Sequence, residues 1–232
     1  MPVTSQYTIS APPVPYLLVK NSDLRFPVHR IYCVGRNYSD HAIEMGHDPN
    51  RETPFFFQKN ADNLVTNNGD FPYPPRSKKV HHEIELVVAI GSGGTDIARV
   101  DALNHIWGYA VGLDMTRRDL QSEMKQAGKP WEIGKAFEHS APCSEVIPAS
   151  EIGHPNKGLI QLKVNGEVRQ LGDLNQLIWK IPEIIMVLSG LFELKPGDLI
   201  MTGTPAGVGA VNRGDLLECF IEGVGEMTTR VI

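Results

Sequence analysis

The sequence predicts an α+β fold in which one β-rich domain carries a few peripheral helices. Short runs typical of strands recur along the 232-residue chain, each bounded by Gly, Pro, Asn or Asp, whereas helical patterns are fewer. No repeat, low-complexity tract or internal linker divides the chain, and its length fits one sizeable domain. We expect the Pro-rich residues 1–29 to form a short N-terminal appendage and residues 30–232 to form the main domain.

The predicted strands lie at residues 16–20, 31–35, 55–59, 85–91, 108–116, 159–170, 198–202, 215–222 and 226–232. Within the sixth of these, Asn165-Gly166 separates two alternating segments and predicts a hairpin with a type I′ turn. The uninterrupted apolar residues from Leu86 to Ile90 predict a buried strand.

Four segments predict helices, at residues 39–45, 100–107, 116–127 and 182–191. Ser39 is a suitable N-cap for the first, and Gly128 and Pro130 end the third. Pro182 opens the fourth, with Glu183 in its first turn.

The composition excludes several classes of protein. Hydrophobic residues make up 41% and charged residues 21%, as in soluble globular proteins, and the net charge of −5 comes without a basic block that would indicate nucleic-acid binding. No apolar run is long enough to predict a membrane span, and the N-terminus has no signal-peptide pattern. Three widely spaced cysteines predict reduced core thiols, so we expect a cytoplasmic protein.

Two glutamates stand at the beginning of the buried strand in the segment HHEIELVVAIG. Glu83 and Glu85 are two residues apart, so their side chains point to the same face with Cα atoms about 6.6 Å apart. Two carboxylates that close repel each other unless a cation or a shared proton compensates. Carboxylate oxygens are the ligands that Mg²⁺ prefers, which predicts a metal site. The alternative is a solvated strand end, where both glutamates face water.

A third carboxylate, Asp114, interrupts the apolar run GYAVGLDMT. Asp is depleted in strands and costly to bury without a partner. At the edge of a neighbouring strand it would complete a three-oxygen site that leaves positions for water and substrate. The alternative is an N-cap for the helix predicted at residues 116–127.

Other candidate residues lie outside the three carboxylates. His41 and Glu44 share one face of the first predicted helix, where a carboxylate would orient an imidazole as a general base. Lys135 stands among apolar neighbours and would stabilise a developing oxyanion or enolate. The alternatives are a surface His–Glu pair and a lysine whose stem lies along the surface.

A Gly-rich loop at residues 201–209, MTGTPAGVG, follows a predicted strand but lacks the ending of a nucleotide-binding P-loop. We expect its backbone amides and Thr204 to hold a small carboxylate. The run GSGGTD at residues 91–96 lacks the third glycine of a dinucleotide-binding fingerprint.

Taken in order, five segments resemble the fumarylacetoacetate hydrolase superfamily, and most closely its short bacterial acylpyruvate and fumarylpyruvate hydrolases. The segments are GRNYSDHAIE (35–44), HHEIEL (81–86), LDMTRRDLQ (113–121), IGKAF (133–137) and TGTPAGVG (202–209). The resemblance covers roughly residues 30 to 232, and five motifs in one order make a chance match improbable.

The resemblance implies a mixed β-roll of the fumarylacetoacetate hydrolase C-terminal domain type, with a metal at its open end, in a homodimer. It implies that Glu83, Glu85 and Asp114 bind Mg²⁺, with Mn²⁺ or Ca²⁺ as alternatives. It places the water-activating dyad on His41 and Glu44 of a lid helix. The remaining site residues that it implies are Lys135, Gln121 and Thr204.

The chemistry that these residues support is hydrolytic C–C cleavage of a 3-acylpyruvate, without an organic cofactor. His41, oriented by Glu44, would deprotonate the water, and Lys135 would stabilise oxygen charge. Similarity favours a fumaryl substrate, giving fumarate and pyruvate in aromatic-compound catabolism. Arg51 could pair with the second carboxylate of such a substrate, although the alternative is a surface arginine.

Two rival functions stay open. The same fold and metal would suit oxaloacetate decarboxylation, or isomerisation and decarboxylation of a homoprotocatechuate-pathway intermediate, because fold alone does not separate these reactions. A non-catalytic binding module would use the carboxylates for a structural ion.

Overall fold

A computed structural model describes residues 7–38 and 52–232. The helix predicted at residues 39–45 lies outside the described residues. The strands, in chain order, are β1 (Tyr16–Leu18), β2 (Arg25–Pro27), β3 (Ile31–Gly35), β4 (Phe55–Lys59), β5 (Leu64–Val65), β6 (Val80–His82), β7 (Ile84–Ile90), β8 (Ile106–Leu113), β9 (Thr116–Arg117), β10 (Ala141–Pro142), β11 (Ile147–Pro148), β12 (Leu159–Val164), β13 (Glu167–Asp173), β14 (Leu199–Met201), β15 (Gly209–Ala210), β16 (Leu216–Ile221) and β17 (Gly225–Arg230). The described α-helices are α1 (Arg118–Gln126), α2 (Glu132–Lys135), α3 (Ala149–Ile152) and α4 (Ile181–Leu191).

Most strands belong to two sheets. The central sheet has the order β11-β8-β7-β14-β3-β4, in which β14 and β3 are parallel and all other neighbours are antiparallel. The second sheet, β13-β12-β16-β17, is wholly antiparallel. Three small sheets, β15-β6-β9, β1-β2 and β5-β10, complete the set. These mixed sheets with few helices confirm the predicted α+β class.

The central strand β7 is buried on both faces. Leu86 and Val88 pack into the larger of two apolar clusters, whereas Val87 and Ala89 pack into the smaller one. A strand that is covered on both faces has an uninterrupted apolar sequence, which explains the apolar run from Leu86 to Ile90. Each fully buried aliphatic side chain contributes roughly 1.5–3 kcal/mol, so β7 is a rigid base for the glutamates at its beginning.

The hairpin of β1 and β2 packs against the smaller cluster. Leu17, Phe26 and Val28 are buried there. On the opposite face of the sheet, α4 contributes Ile184 and Leu188 to the larger cluster. The division between an appendage at residues 1–29 and a main domain at residues 30–232 stays a prediction.

One predicted helix is wrong. Residues 100–107 form a 3₁₀ turn over Ala102–His105, after which β8 begins. Ile106 pairs with Ile90 of β7, and this long-range pairing outweighs the local helical spacing. The helix predicted from residue 116 begins instead at Arg118, because Thr116 pairs with β6.

The predicted hairpin between β12 and β13 is confirmed. Asn165 and Gly166 have positive φ angles of 52° and 83°, as a type I′ turn requires.

Several strands of the central sheet present their ends at one edge. β8 ends where β7 begins, with Leu113 paired to Ile84. β14 ends beside the middle of β7, and β3 runs parallel to β14. At the end of β3, Gly35 lies opposite Phe55 at the start of β4. Segments far apart in sequence therefore meet at this edge.

Candidate active site and metal centre

The three predicted metal ligands lie together at this edge. Glu83 precedes β7, Glu85 lies within it, and Asp114 follows β8 directly. The Asp114 N–H donates to the Glu83 carbonyl oxygen at 2.9 Å, which extends the ladder between β7 and β8. All three side chains are buried, and one carboxylate oxygen of each lies within 4.8 Å of the others.

The geometry and charge of this triad fit a divalent cation. Metal–oxygen distances of about 2.0–2.6 Å place two ligands of one Mg²⁺ or Ca²⁺ ion no more than about 4–5 Å apart. Burial, followed by the charges of Asp114 and Glu83, raises the pKa of Glu85 well above its usual range, although the Gly203 N–H opposes this. A bound cation would stabilise the ionised form of Glu85.

Lys135, at the end of α2, places its ammonium among these carboxylates. Nζ donates to Glu83 Oε2 at 2.9 Å, to Asp114 Oδ2 at 2.7 Å and to Thr116 Oγ1 at 2.7 Å. Burial alone would lower the pKa of Lys135, but the charges of Asp114 and Glu83 raise it above its usual value. The lysine is therefore a buried, charged donor within the site.

Two further buried cations were missed by the sequence reasoning. Lys59 Nζ lies 2.8 Å from Asp114 Oδ1 and donates to the carbonyl oxygens of Met115 and Lys135. Arg118 forms an ion pair with Glu83. Lys59 is the last residue of the segment FFFQK, and the three aromatic residues before it are the one sequence signal that could have indicated a buried lysine.

The helix glutamine, Gln121, is hydrogen-bonded to Arg118 beside the pocket. Gln121 is buried on α1, and its Oε1 accepts from Arg118 Nη1 at 2.6 Å. A guanidinium only donates, so the amide oxygen must face Arg118 and the NH₂ group faces elsewhere. Gln121 lines the pocket beside the triad.

The Gly-rich loop is tied to the triad by its backbone. The Gly203 N–H donates to Glu85 Oε2 at 2.6 Å. Gly203 has a φ of +101°, and a Cβ there would lie 2.7 Å from the Cβ of Asn37, so only glycine fits. The next residue, Thr204, is buried and lines the pocket.

The mouth of the pocket combines aromatic rings and cations. Phe55, Phe57 and Trp131 form the aromatic wall, and the rings of Phe55 and Trp131 meet edge to face at 5.3 Å. Arg36 and Lys125 also line the mouth. The Arg36 guanidinium lies 5.3 Å from the Phe55 ring centroid, and its backbone has an unusual positive φ of 58°. Such strained backbone concentrates at binding sites.

Residues 30–232 match the fumarylacetoacetate (FAA) hydrolase C-terminal family. This chain belongs to that family. Family membership confirms the resemblance drawn from the five motifs and the mixed β fold that it implied. Three predicted residues, His41, Glu44 and Arg51, lie outside the described residues, so the roles expected of them stay predictions.

Several relatives in the family have names that specify a reaction. The solved structure of fumarylpyruvate hydrolase from Pseudomonas aeruginosa, in complex with Mn²⁺ and pyruvate, is 52% identical, with a TM-score of 0.96 over 98% of this chain and 99% of that one. Fumarylpyruvate hydrolase of a Ralstonia species is 44% identical over 79% of this chain and 95% of that protein. An oxaloacetate tautomerase of Escherichia coli is 42% identical over 90% of this chain and 95% of that protein.

These comparisons support a metal-binding enzyme of the family, whose relatives are named for more than one reaction. None of the described helices has the length and apolar character that a membrane span requires.

Proposed function

We propose that this protein is a metal-dependent hydrolase that cleaves fumarylpyruvate to fumarate and pyruvate. The observation that carries the proposal is the buried triad with the Lys135 ammonium in contact with two of its carboxylates. Two relatives named fumarylpyruvate hydrolase support the choice of substrate, one of them with Mn²⁺ and pyruvate bound.

Glu83, Glu85 and Asp114 would hold the metal, for which we propose Mg²⁺, with Mn²⁺ or Ca²⁺ as alternatives. When bound, the ion would supply a template and a Lewis acid for the carboxylate and 2-oxo oxygens of the oxo acid. Nearby cations already balance the charge of the triad, since Lys59, Arg118 and Lys135 face three carboxylates. A divalent ion would therefore leave a net positive site, suited to an anionic substrate.

The chain's own residues would carry out the steps of hydrolysis. His41, oriented by Glu44, would take a proton from water, and the hydroxide oxygen would bond to the acyl carbonyl carbon. The charge of the buried Lys135 ammonium would stabilise the oxygen that becomes negative, and the Gln121 amide would donate a hydrogen bond to it. The bond between this carbon and the pyruvate methylene would then break. The electron pair of the broken bond leaves with the pyruvate enolate. The former methylene carbon of this enolate then takes up a proton and becomes the methyl group of pyruvate.

The mouth of the pocket favours a planar, anionic acyl group. Phe55 and Trp131 offer flat apolar surfaces to an unsaturated chain, and Arg36 offers a guanidinium to a second carboxylate. Arg36 would thus share the role predicted for Arg51, which lies outside the described residues and stays a prediction. Acetylpyruvate would leave this cation unpaired.

The alternative function is oxaloacetate tautomerisation, favoured by the Escherichia coli relative. That reaction moves a proton between carbon and oxygen and needs no activated water. It would use the triad and Lys135 but would not depend on the proposed His41–Glu44 base. Oxaloacetate is also a dicarboxylate, so Arg36 suits it as well.

A substrate panel separates the two reactions. Protein loaded with Mn²⁺ is incubated with fumarylpyruvate, acetylpyruvate or oxaloacetate, and pyruvate, fumarate and keto–enol exchange are measured. We expect fumarylpyruvate to give equal amounts of fumarate and pyruvate, and His41→Ala to abolish this without releasing Mn²⁺. Conversion of oxaloacetate alone, with fumarylpyruvate intact, would refute the hydrolase.

We further propose that residues 30–232 form the catalytic domain of a cytoplasmic homodimer. Light scattering on the purified protein tests the oligomeric state.

A further inference from the structure

Gln170 is the buried member of an otherwise exposed or half-exposed strand, β13. Its side-chain amide reaches four partners across the fold. Nε2 lies 2.7 Å from Thr204 Oγ1 and 2.8 Å from the Pro205 carbonyl oxygen, whereas Oε1 lies 3.1 Å from the Ile84 nitrogen and 2.9 Å from His82 Nδ1. The full hydrogen-bonding capacity of the NH₂ group is thus used.

Two of these partners fix the orientation of the amide. The Pro205 carbonyl oxygen only accepts, so the group facing it is the NH₂ group of Gln170. The Ile84 N–H only donates, so the group facing it is the amide oxygen. His82 must then carry a proton on Nδ1, because it also meets the oxygen. The donor and the acceptor of each hydrogen bond made by the Gln170 amide are therefore determined by its partners.

The orientation of the Gln170 amide determines which hydrogen-bonding role of the Thr204 hydroxyl is used. The Thr204 hydroxyl oxygen must accept from Gln170, so its own hydrogen is free to point elsewhere. Within residues 7–38 and 52–232, that hydrogen has no acceptor, and Thr204 lines the metal pocket. A threonine hydroxyl can both donate and accept, but here one of these roles is already taken.

We propose that Gln170 is a positioning residue that holds the Thr204 hydroxyl as a donor into the metal pocket, directed at an oxygen of the bound oxo acid. A carboxylate or keto oxygen only accepts, so a fixed donor is complementary to it. The proposal rests on the proposed function for the identity of the ligand.

The same amide also links the loop to the triad. Ile84, whose N–H it accepts, stands between Glu83 and Glu85. Gly207 lies directly against β13, since a Cβ on it would lie 2.0 Å from the Arg169 carbonyl oxygen. The donor of Thr204 is therefore held in register with the carboxylates that would bind the metal.

The test measures pyruvate binding to the Mn²⁺-loaded protein by calorimetry, without turnover. Gln170→Glu replaces the NH₂ group by an acceptor, which would draw the Thr204 hydrogen away from the pocket. A hydrogen bond to a charged group contributes about 1.5–3 kcal/mol, so we expect the pyruvate Kd to rise roughly 10- to 150-fold, with the Mn²⁺ Kd within about twofold. Thr204→Val should give a similar loss, and the double variant should lose no more than either single one.

Thr202→Val is the matched control. Thr202 is a buried threonine two residues before Thr204, and its hydroxyl donates to the Leu86 carbonyl oxygen. We expect this variant to keep the pyruvate Kd within about twofold. Losses that add in the double variant, or a parallel loss of Mn²⁺ affinity in Gln170→Glu, would show a merely structural role and overturn the proposal.

The Thr204 variants decide the matter even where Gln170→Glu does not fold. The proposal expects Thr204→Ser to retain pyruvate affinity and Thr204→Val to lose it. Unchanged affinity in Thr204→Val overturns the proposal. Because pyruvate binding is measured directly, this result is separate from whether the enzyme cleaves fumarylpyruvate.

Discussion

Replacing Arg36 by Met tests how the enzyme recognises the acyl end of its substrate. The variant keeps a side chain of similar length against Phe55 but removes the cation at the mouth of the pocket. A charge-assisted hydrogen bond contributes about 1.5–3 kcal/mol, and the partly exposed position of Arg36 favours the lower end. A loss of about 1.5–2 kcal/mol corresponds to a fall of roughly 10- to 30-fold in kcat/KM for fumarylpyruvate.

Steady-state kinetics with two substrates give the result. Acetylpyruvate has no second carboxylate, so we expect its kcat/KM to stay within about twofold in Arg36→Met. Arg76→Met is the matched control, since Arg76 is exposed, also has a positive φ, of 63°, and does not line the pocket. An equal fall for both substrates, or no fall for fumarylpyruvate, would refute a role for Arg36 in binding the second carboxylate.

Three further predictions concern the loop, the metal and the thiols. Gly203→Ala should reduce turnover at least about tenfold, because a Cβ there meets Asn37 and displaces the N–H that binds Glu85; Gly153→Ala, at a φ of +71° with open space around it, controls for backbone strain alone. Mn²⁺ at about 100 times its Kd should raise Tm by roughly 5–10 °C. Because the pKa of Glu85 is raised, protonated Glu85 stabilises the folded metal-free protein below the ordinary pKa of a glutamate, and this stabilisation is lost as pH rises through the folded pKa. The rise in Tm caused by Mn²⁺ should therefore be larger at about pH 7.5 than at about pH 5.5. An equal rise at both pH values would contradict this expectation. Burial raises the pKa of Cys143 to about 12 and that of the other two thiols as well, so a thiol reagent at about pH 8 should label none of the three in native protein and all three in denaturant.

Local sequence patterns were sufficient to predict part of the site. Alternation along one strand put Glu83 and Glu85 on one face, and an aspartate in an apolar run marked Asp114. The motif order then predicted Gln121 and Thr204, both of which line the pocket. For Asp114 the signal is a polar residue where the local pattern demands an apolar one, whereas Gln121 and Thr204 depended on the resemblance.

Contacts that depend on long-range register were not predictable. Gln170 lies in a strand with exposed neighbours on both sides, and its partner Ile84 is 86 residues away. Lys59 reaches Asp114 only because the sheet brings β4 and the end of β8 to one site. The helix expected at residues 100–107 failed for the same reason, since the pairing of Ile106 with β7 cannot be read from local periodicity.

The central claim is that Glu83, Glu85 and Asp114 bind the divalent ion on which catalysis depends. The most direct measurement titrates Mn²⁺ into metal-depleted protein and follows heat and fumarylpyruvate cleavage in the same samples. We predict that cleavage rises from zero and saturates at one ion per chain, and that Glu85→Gln weakens both binding and cleavage together. Cleavage in metal-free protein, or unchanged Mn²⁺ affinity in Glu85→Gln, would contradict this assignment.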